Sequence, residues 1–140
     1  MNTITDMKTD ETAIRDLLEH VVTAFNKSDL EELLSFHSDD IILMEPNMPV
    51  IKGKDQVRKL FAAFQQKKIE MELDFDIVEL EVNGDRAFVR GHVLKTVLQN
   101  GSITENDTGK FICLLKKQAD GTWLRTHVIV NSDQPAKILN

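Results

Sequence analysis

The chain has 140 residues, a net charge of −6, one cysteine, and a hydrophobic share of 41%. That length implies one domain with a core large enough to stand without disulfides or a structural metal. The acidic balance excludes the basic stripe that phosphate-backbone binding requires, and a single cysteine excludes a disulfide framework and fits a reducing compartment. The start, MNTITDMKTDETA, lacks the basic and apolar regions of a secretory signal, and no apolar run approaches a membrane span. A cytoplasmic protein is expected, with neither nucleic-acid nor membrane partners.

The first eight or nine residues are polar, and Thr9 or Asp10 is placed to cap a helix. Ile14, Leu17, Leu18, Val21, Val22 and Phe25 then recur at helical spacing. Ser28-Asp29-Leu30-Glu31 reads as a capping box opening a short second helix, with Leu30, Leu33 and Leu34 inward. His37 would cap the end of that helix, and Asp39 and Asp40 would terminate the junction to the next element.

Ile41–Met44 is a four-residue apolar run, read as a short buried strand. Pro46 forces Glu45 into an extended conformation, which leaves a carboxylate at the inner end of that strand. Gly53 opens a third helix from about Lys54 to Gln66, with Val57, Leu60, Phe61 and Phe64 inward. Ile69, Met71, Leu73, Phe75 and Ile77 alternate with acids, after which the apolar phase moves to Val78, Leu80 and Val82. Such a slip predicts a β-bulge near Ile77–Val78. Asn83-Gly84, Asn100-Gly101 and Asp120-Gly121 are hairpin signals that separate strands at about Arg86–Leu98, Thr108–Gln118 and Thr122–Ser132, with an irregular tail after Asp133. The expected class is α+β: one domain over residues 1–140, with three helices on one face of a bent sheet. That sheet is a four-strand antiparallel meander plus a short N-terminal strand. Phe111–Leu115 and Val128–Val130 are apolar on both faces, so a second copy of the chain is expected to cover the outer face as a homodimer.

Several stretches together resemble the nuclear transport factor 2-like superfamily. They are Ala24-Phe25-Asn26 with Ser28-Asp29-Leu30, Phe36-His37-Ser38-Asp39-Asp40, Gly53 before the third helix, and Gly84–Gly91. Gly109-Lys110-Phe111 and Gly121-Thr122-Trp123 through Asn131-Ser132-Asp133 complete the match. The nearest likeness is to its SnoaL-like branch, a cystatin-like cone of curved sheet around helices. In ketosteroid isomerases, which share that scaffold, the general-base aspartate directly precedes a proline after an acidic pair, and Glu45 stands in the matching place. Their oxyanion groups are not matched, because Val21 and Cys113 occupy those positions. Thr126 and Val128 occupy the positions of the cavity-facing His and Asp of SnoaL-like cyclases. Neither reaction type is therefore implied in its known form.

The resemblance turns the Phe88, Arg90, His92 face of its strand to the cavity, so that Arg90 and His92 would meet Glu45 as anion clamp and acid–base partner. One bulge would reverse that face and leave Ala87, Val89, Gly91 and Val93 inside. Alternation on the last strand puts Leu124, Thr126, Val128 and Val130 inward and Trp123, Arg125, His127 and Ile129 outward. The expected pocket is Val21, Phe25, Met44, Phe61, Phe88, Cys113, Thr126, Val128 and Val130, with Cys113 as a buried small hydrophobe. Histidine spacing shows no zinc pattern and the glycines form no phosphate loop, so neither metal nor cofactor is expected. Three functions stay open. One is a homodimeric binder of a small apolar or carbonyl-bearing molecule. Another is a lyase or isomerase acting on a carbon acid through Glu45. The third is a structural association domain.

Overall fold

A computed structural model describes residues 3–135. The C-terminal part of the tail beyond Asp133 lies outside the described residues. Helix α1 runs Ile4–Asn26, α2 Leu30–Ser35 and α3 Lys54–Gln66. The strands are β1 His37–Met44, β2 Ile51–Lys52, β3 Ile69–Asn83, β4 Arg86–Gln99, β5 Ser102–Lys117 and β6 Trp123–Ser132. They form one curved sheet in the order β2-β1-β6-β5-β4-β3. The architecture is the expected α+β. Two corrections concern the sheet: β2 adds a sixth strand, and β1 runs parallel to β6, so the sheet is mixed.

Helix α1 starts well before the expected cap. Asp10 lies inside it, buried, where it accepts a hydrogen bond from Trp123 Nε1 at 3.2 Å and pairs with Lys117 Nζ at 3.0 Å. The cap of α2 is Asp29, not Ser28, and its Oδ1 accepts from the Glu32 backbone at 3.2 Å. His37 does not cap that helix; it opens β1, fully buried. Asp39 and Asp40 lie within the same strand, exposed, and Asp39 pairs with Lys54 at 3.3 Å.

The bulge at the acid row is where the phase slip puts it: Ile77 opposes Gly91, Glu79 opposes Arg90, and Val78 is the extra residue. Opposite it, Gly91 is buried, and a Cβ there would collide with the Asp76 carbonyl oxygen and press on Phe111. Asn100 and Gly101 form a two-residue turn with φ of 53° and 82°, the left-handed pair that fits the twist of a tight hairpin. That turn starts β5 at Ser102, six residues earlier than expected. The core lies between α1, α3 and the concave face, around Ile14, Leu18, Val21, Leu34, Ile41, Val57, Val89 and Leu115.

Candidate functional site

The concave face and the helices do not fill the space between them. A cavity of about 190 Å³ remains, walled by Val21 and Phe25 of α1, Leu60, Phe61 and Phe64 of α3, Leu73 and Phe75 of β3, and Val128 and Val130 of β6. Phe61 meets Phe25 edge-on at 5.7 Å and Phe64 at 6.2 Å, so the helix side of the wall is aromatic. The polar groups are few: His37, Glu45, Lys95, Asp107, Thr108, Arg125 and the 131–132 strand end.

Glu45 lines the cavity just past the end of β1, together with Leu43 of that strand. Burial raises its pKa above the ordinary carboxylate value, while Lys95 and then Arg125 pull it down without overcoming that effect. The cations expected beside it are elsewhere. Arg90 and His92 are exposed on the convex face, where Arg90 Nε holds Glu79 at 2.8 Å and His92 Nδ1 faces Asp76 at 3.4 Å. The concave face takes Ala87, Val89, Gly91 and Val93 instead, because charged side chains on the inner side would be desolvated.

Among the other expected pocket residues, Val21, Phe25, Phe61, Val128 and Val130 line the cavity. Met44, Phe88, Cys113 and Thr126 are not among its lining residues. Met44 sits on the opposite face from Leu43 and Glu45 and is exposed. Phe88 is on the convex face, opposite Leu114. Cys113 is wholly buried in the core, and desolvation pushes its thiol up to about 11, as befits an inert small hydrophobe. Thr126 is the extra residue of a second bulge: His127 opposes Leu114 while Arg125 opposes Leu115.

That second bulge moves the site. It carries Trp123 and Arg125 to the inner face together with Val128, and leaves His127 and Ile129 exposed. Arg125 Nη2 donates to His37 Nε2 at 2.6 Å. An arginine offers only hydrogens, so Nε2 is the acceptor and the imidazole proton is on Nδ1. Burial, then the charges of Arg125 and Lys54, push His37 down to about 2, so it is neutral at physiological pH. Burial also lowers Arg125 from its ordinary value, opposed by Cys113 and Glu45. Sequence reasoning missed Arg125, His37, Lys95 and Asp107 as cavity residues. Among the described residues no group of three or more His, Cys, Asp or Glu is arranged to hold a metal ion, and no helix is long and apolar enough to cross a membrane.

A SnoaL-like domain model matches residues 18–129. The chain belongs to the SnoaL-like domain family, within the nuclear transport factor 2-like superfamily. Its fold is similar to that of a ketosteroid isomerase-like protein from Erwinia carotovora atroseptica. The identity is 25% over 89% of this chain and 96% of the other, with a TM-score of 0.77. It is also similar to ActVI-ORFA from Streptomyces coelicolor, at 15% identity over 88% and 96% of the two chains and a TM-score of 0.72. A protein of unknown function with a cystatin-like fold from Nostoc punctiforme matches at 18% over 98% of both chains, with a TM-score of 0.70. No curated protein matches the chain at a significant level. The SnoaL-like domain thus accounts for the cone, and one scaffold of this kind carries unrelated functions.

Proposed function

We propose that this SnoaL-like protein binds a small, largely apolar molecule in its cone cavity and works as a homodimer joined through the convex face of the sheet. The observation that supports this is the unfilled, mostly apolar cavity of about 190 Å³ with a few convergent polar groups. A structural association domain would have its cone filled by side chains. The second reading, a lyase or isomerase acting on a carbon acid, is favoured by the raised pKa of Glu45, which brings a carboxylate toward the range of a useful base.

Glu45→Gln separates the two. It keeps the shape of the side chain and removes the basic oxygen. If Glu45 only frames a binding site, the variant changes ligand affinity and nothing else. If Glu45 moves a proton, turnover of a carbon-acid substrate falls by about a hundredfold or more while binding persists. Titration of the protein with small aromatic molecules, followed by NMR, tests binding first. Shifts at Phe61, Val128 and Glu45, with none at Ile129 or Leu94, support a ligand in the cone. Shifts confined to the convex face would refute it.

A further inference from the structure

Within the cavity, Arg125 stands out because the protein surrounds its charge without neutralising it. The residue is 6% exposed, and its Nη2 donates its hydrogen bond to a neutral imidazole. Among the described residues no carboxylate comes within ion-pair reach of it, and its Nε is buried without a hydrogen-bond partner. His37, which receives the Nη2 hydrogen, is 1% exposed, and its own Nδ1 is likewise buried and unpartnered. Two buried N–H donors, one of them on a cation, therefore stand without acceptors on residues that line the cavity. Leaving such groups unsatisfied is costly, and more so for a charged one.

The other charges of the cavity do not remove this surplus. Lys95 and Asp107 are cross-strand partners on β4 and β5, so both belong to one end of the wall. Asp107 Oδ2 accepts from Ser132 Oγ at 2.6 Å, while its Oδ1 is buried without a hydrogen-bond partner. Glu45 forms no ion pair with Arg125 among the described residues, and burial raises its pKa, which disfavours the charged form. The helices contribute only apolar side chains to the lining.

We infer that the cavity is built for an organic carboxylate with a small apolar body, its anionic head received by Arg125 and the His37 that holds it, its body against the Phe25–Phe61–Phe64 wall. This rests on the binding reading above and adds the chemical class of the ligand. The size is consistent with one ring or a short chain, since a dry cavity of about 150 Å³ holds benzene. His37 acts here as a positioning residue: it uses one guanidinium hydrogen and leaves the rest of the fork aimed by a fixed, buried partner.

Phenylacetate, its amide and ethylbenzene share an apolar body and differ in the head, so calorimetric titration with all three is the test. The acid is expected to bind at least tenfold more tightly than the amide, the scale of a charge-assisted hydrogen bond. The Arg125 Nε–H signal in NMR is expected to shift with the acid and not with the amide. In Arg125→Met, which keeps an unbranched side chain in the site, the preference for the acid should vanish while ethylbenzene still binds. Equal affinity of acid and amide for the unmodified protein overturns the inference and leaves the binding reading standing. A preference for the acid that survives in Arg125→Met removes Arg125 from the role. Failure of all three molecules to bind the unmodified protein overturns the inference and the binding reading together. The comparison of acid with amide and the Nε–H signal need no variant, so a misfolded Arg125→Met leaves the test intact.

Discussion

A neutral histidine and an arginine that makes no ion pair among the described residues form one buried unit, and pH reports on it. His37 has its folded pKa lowered from 6.5 to about 2, so the unfolded chain binds a proton that the folded chain refuses between those values. Stability is therefore full above about pH 6.5 and falls as the pH drops below it, by at most about 1.4 kcal/mol per pH unit for one proton. Glu45 acts with the opposite sign. Its folded pKa is raised above 4.5, so the folded state holds more protons and loses stability as pH rises from 4.5 through the folded value. The two slopes overlap, and a Glu45→Gln background isolates the histidine. In that background, thermal unfolding should show stability declining from pH 7 to pH 5. Adding His37→Gln, which supplies an amide oxygen as acceptor for Arg125, should flatten that decline. An unchanged slope would mean that the buried imidazole is not what resists the proton.

The β-bulges at Val78 and Thr126 explain how far the strands were legible. At Val78 the neighbours are strictly apolar or acidic, so an extra residue shows as a change of phase, and the alternation from Ile69 to Val82 reveals it. At Thr126 the surrounding residues, Trp123-Leu124 and Val128-Ile129-Val130, are apolar in either phase. A shift of one leaves no trace there, so Arg125 and Thr126 exchange faces unseen, and with Arg125 goes the polar centre of the site. The face of β4 was legible from its own residues, because Arg90 and His92 alternate with Ala87, Val89, Gly91 and Val93. The family likeness pointed the other way, and the cost of desolvating two charged groups prevails. Glu45 could be found because Pro46 and the end of β1 define it locally. His37, Lys95 and Asp107 depend on contacts across the sheet that no local pattern encodes. The first bulge also carries a prediction. Because a Cβ on Gly91 would collide with the Asp76 backbone, Gly91→Ala must displace one strand from the other. Denaturant unfolding should show a loss of about 1–3 kcal/mol, the usual cost of overpacking. By contrast, a Cβ on Gly84 has open space around it, so Gly84→Asn, which tolerates the positive φ of 64° there, should cost little. Equal losses at the two sites would remove the steric account of the bulge.

At the scale of the molecule, the helices leave the convex face of the sheet uncovered. Met44 on β1 pairs with Ile129 on β6, Ile129 with Ile112 on β5, and Leu114 of β5 with Phe88 of β4. These pairs lie on one surface, with Arg90 beside Ile112 and His127 beside Leu114, and Ile112 and Ile129 are 42% and 38% exposed. Leu94 extends the surface along β4, with 48% exposure. On β3 the row Glu70, Glu72, Asp74 and Asp76 is exposed, and like charges brought together there would repel. A pairing of two copies is therefore best centred on β5 and β6, away from the acid row. A stable contact of this kind buries about 800 Å² on each side. In a two-fold arrangement Ile129 of one copy would lie near the centre, where a charge meets its own image. Light scattering at micromolar concentration should give about twice the subunit mass of 15.9 kDa. Ile129→Glu should return the mass to that of a single subunit, because two desolvated carboxylates would face each other across the axis. In the separated subunit the new side chain reaches water on the exposed face, so the cone should stay folded and keep its affinity for a cavity ligand. A single-subunit mass for the unmodified protein would sink the dimer, and an unchanged double mass in Ile129→Glu would place the contact on some other surface.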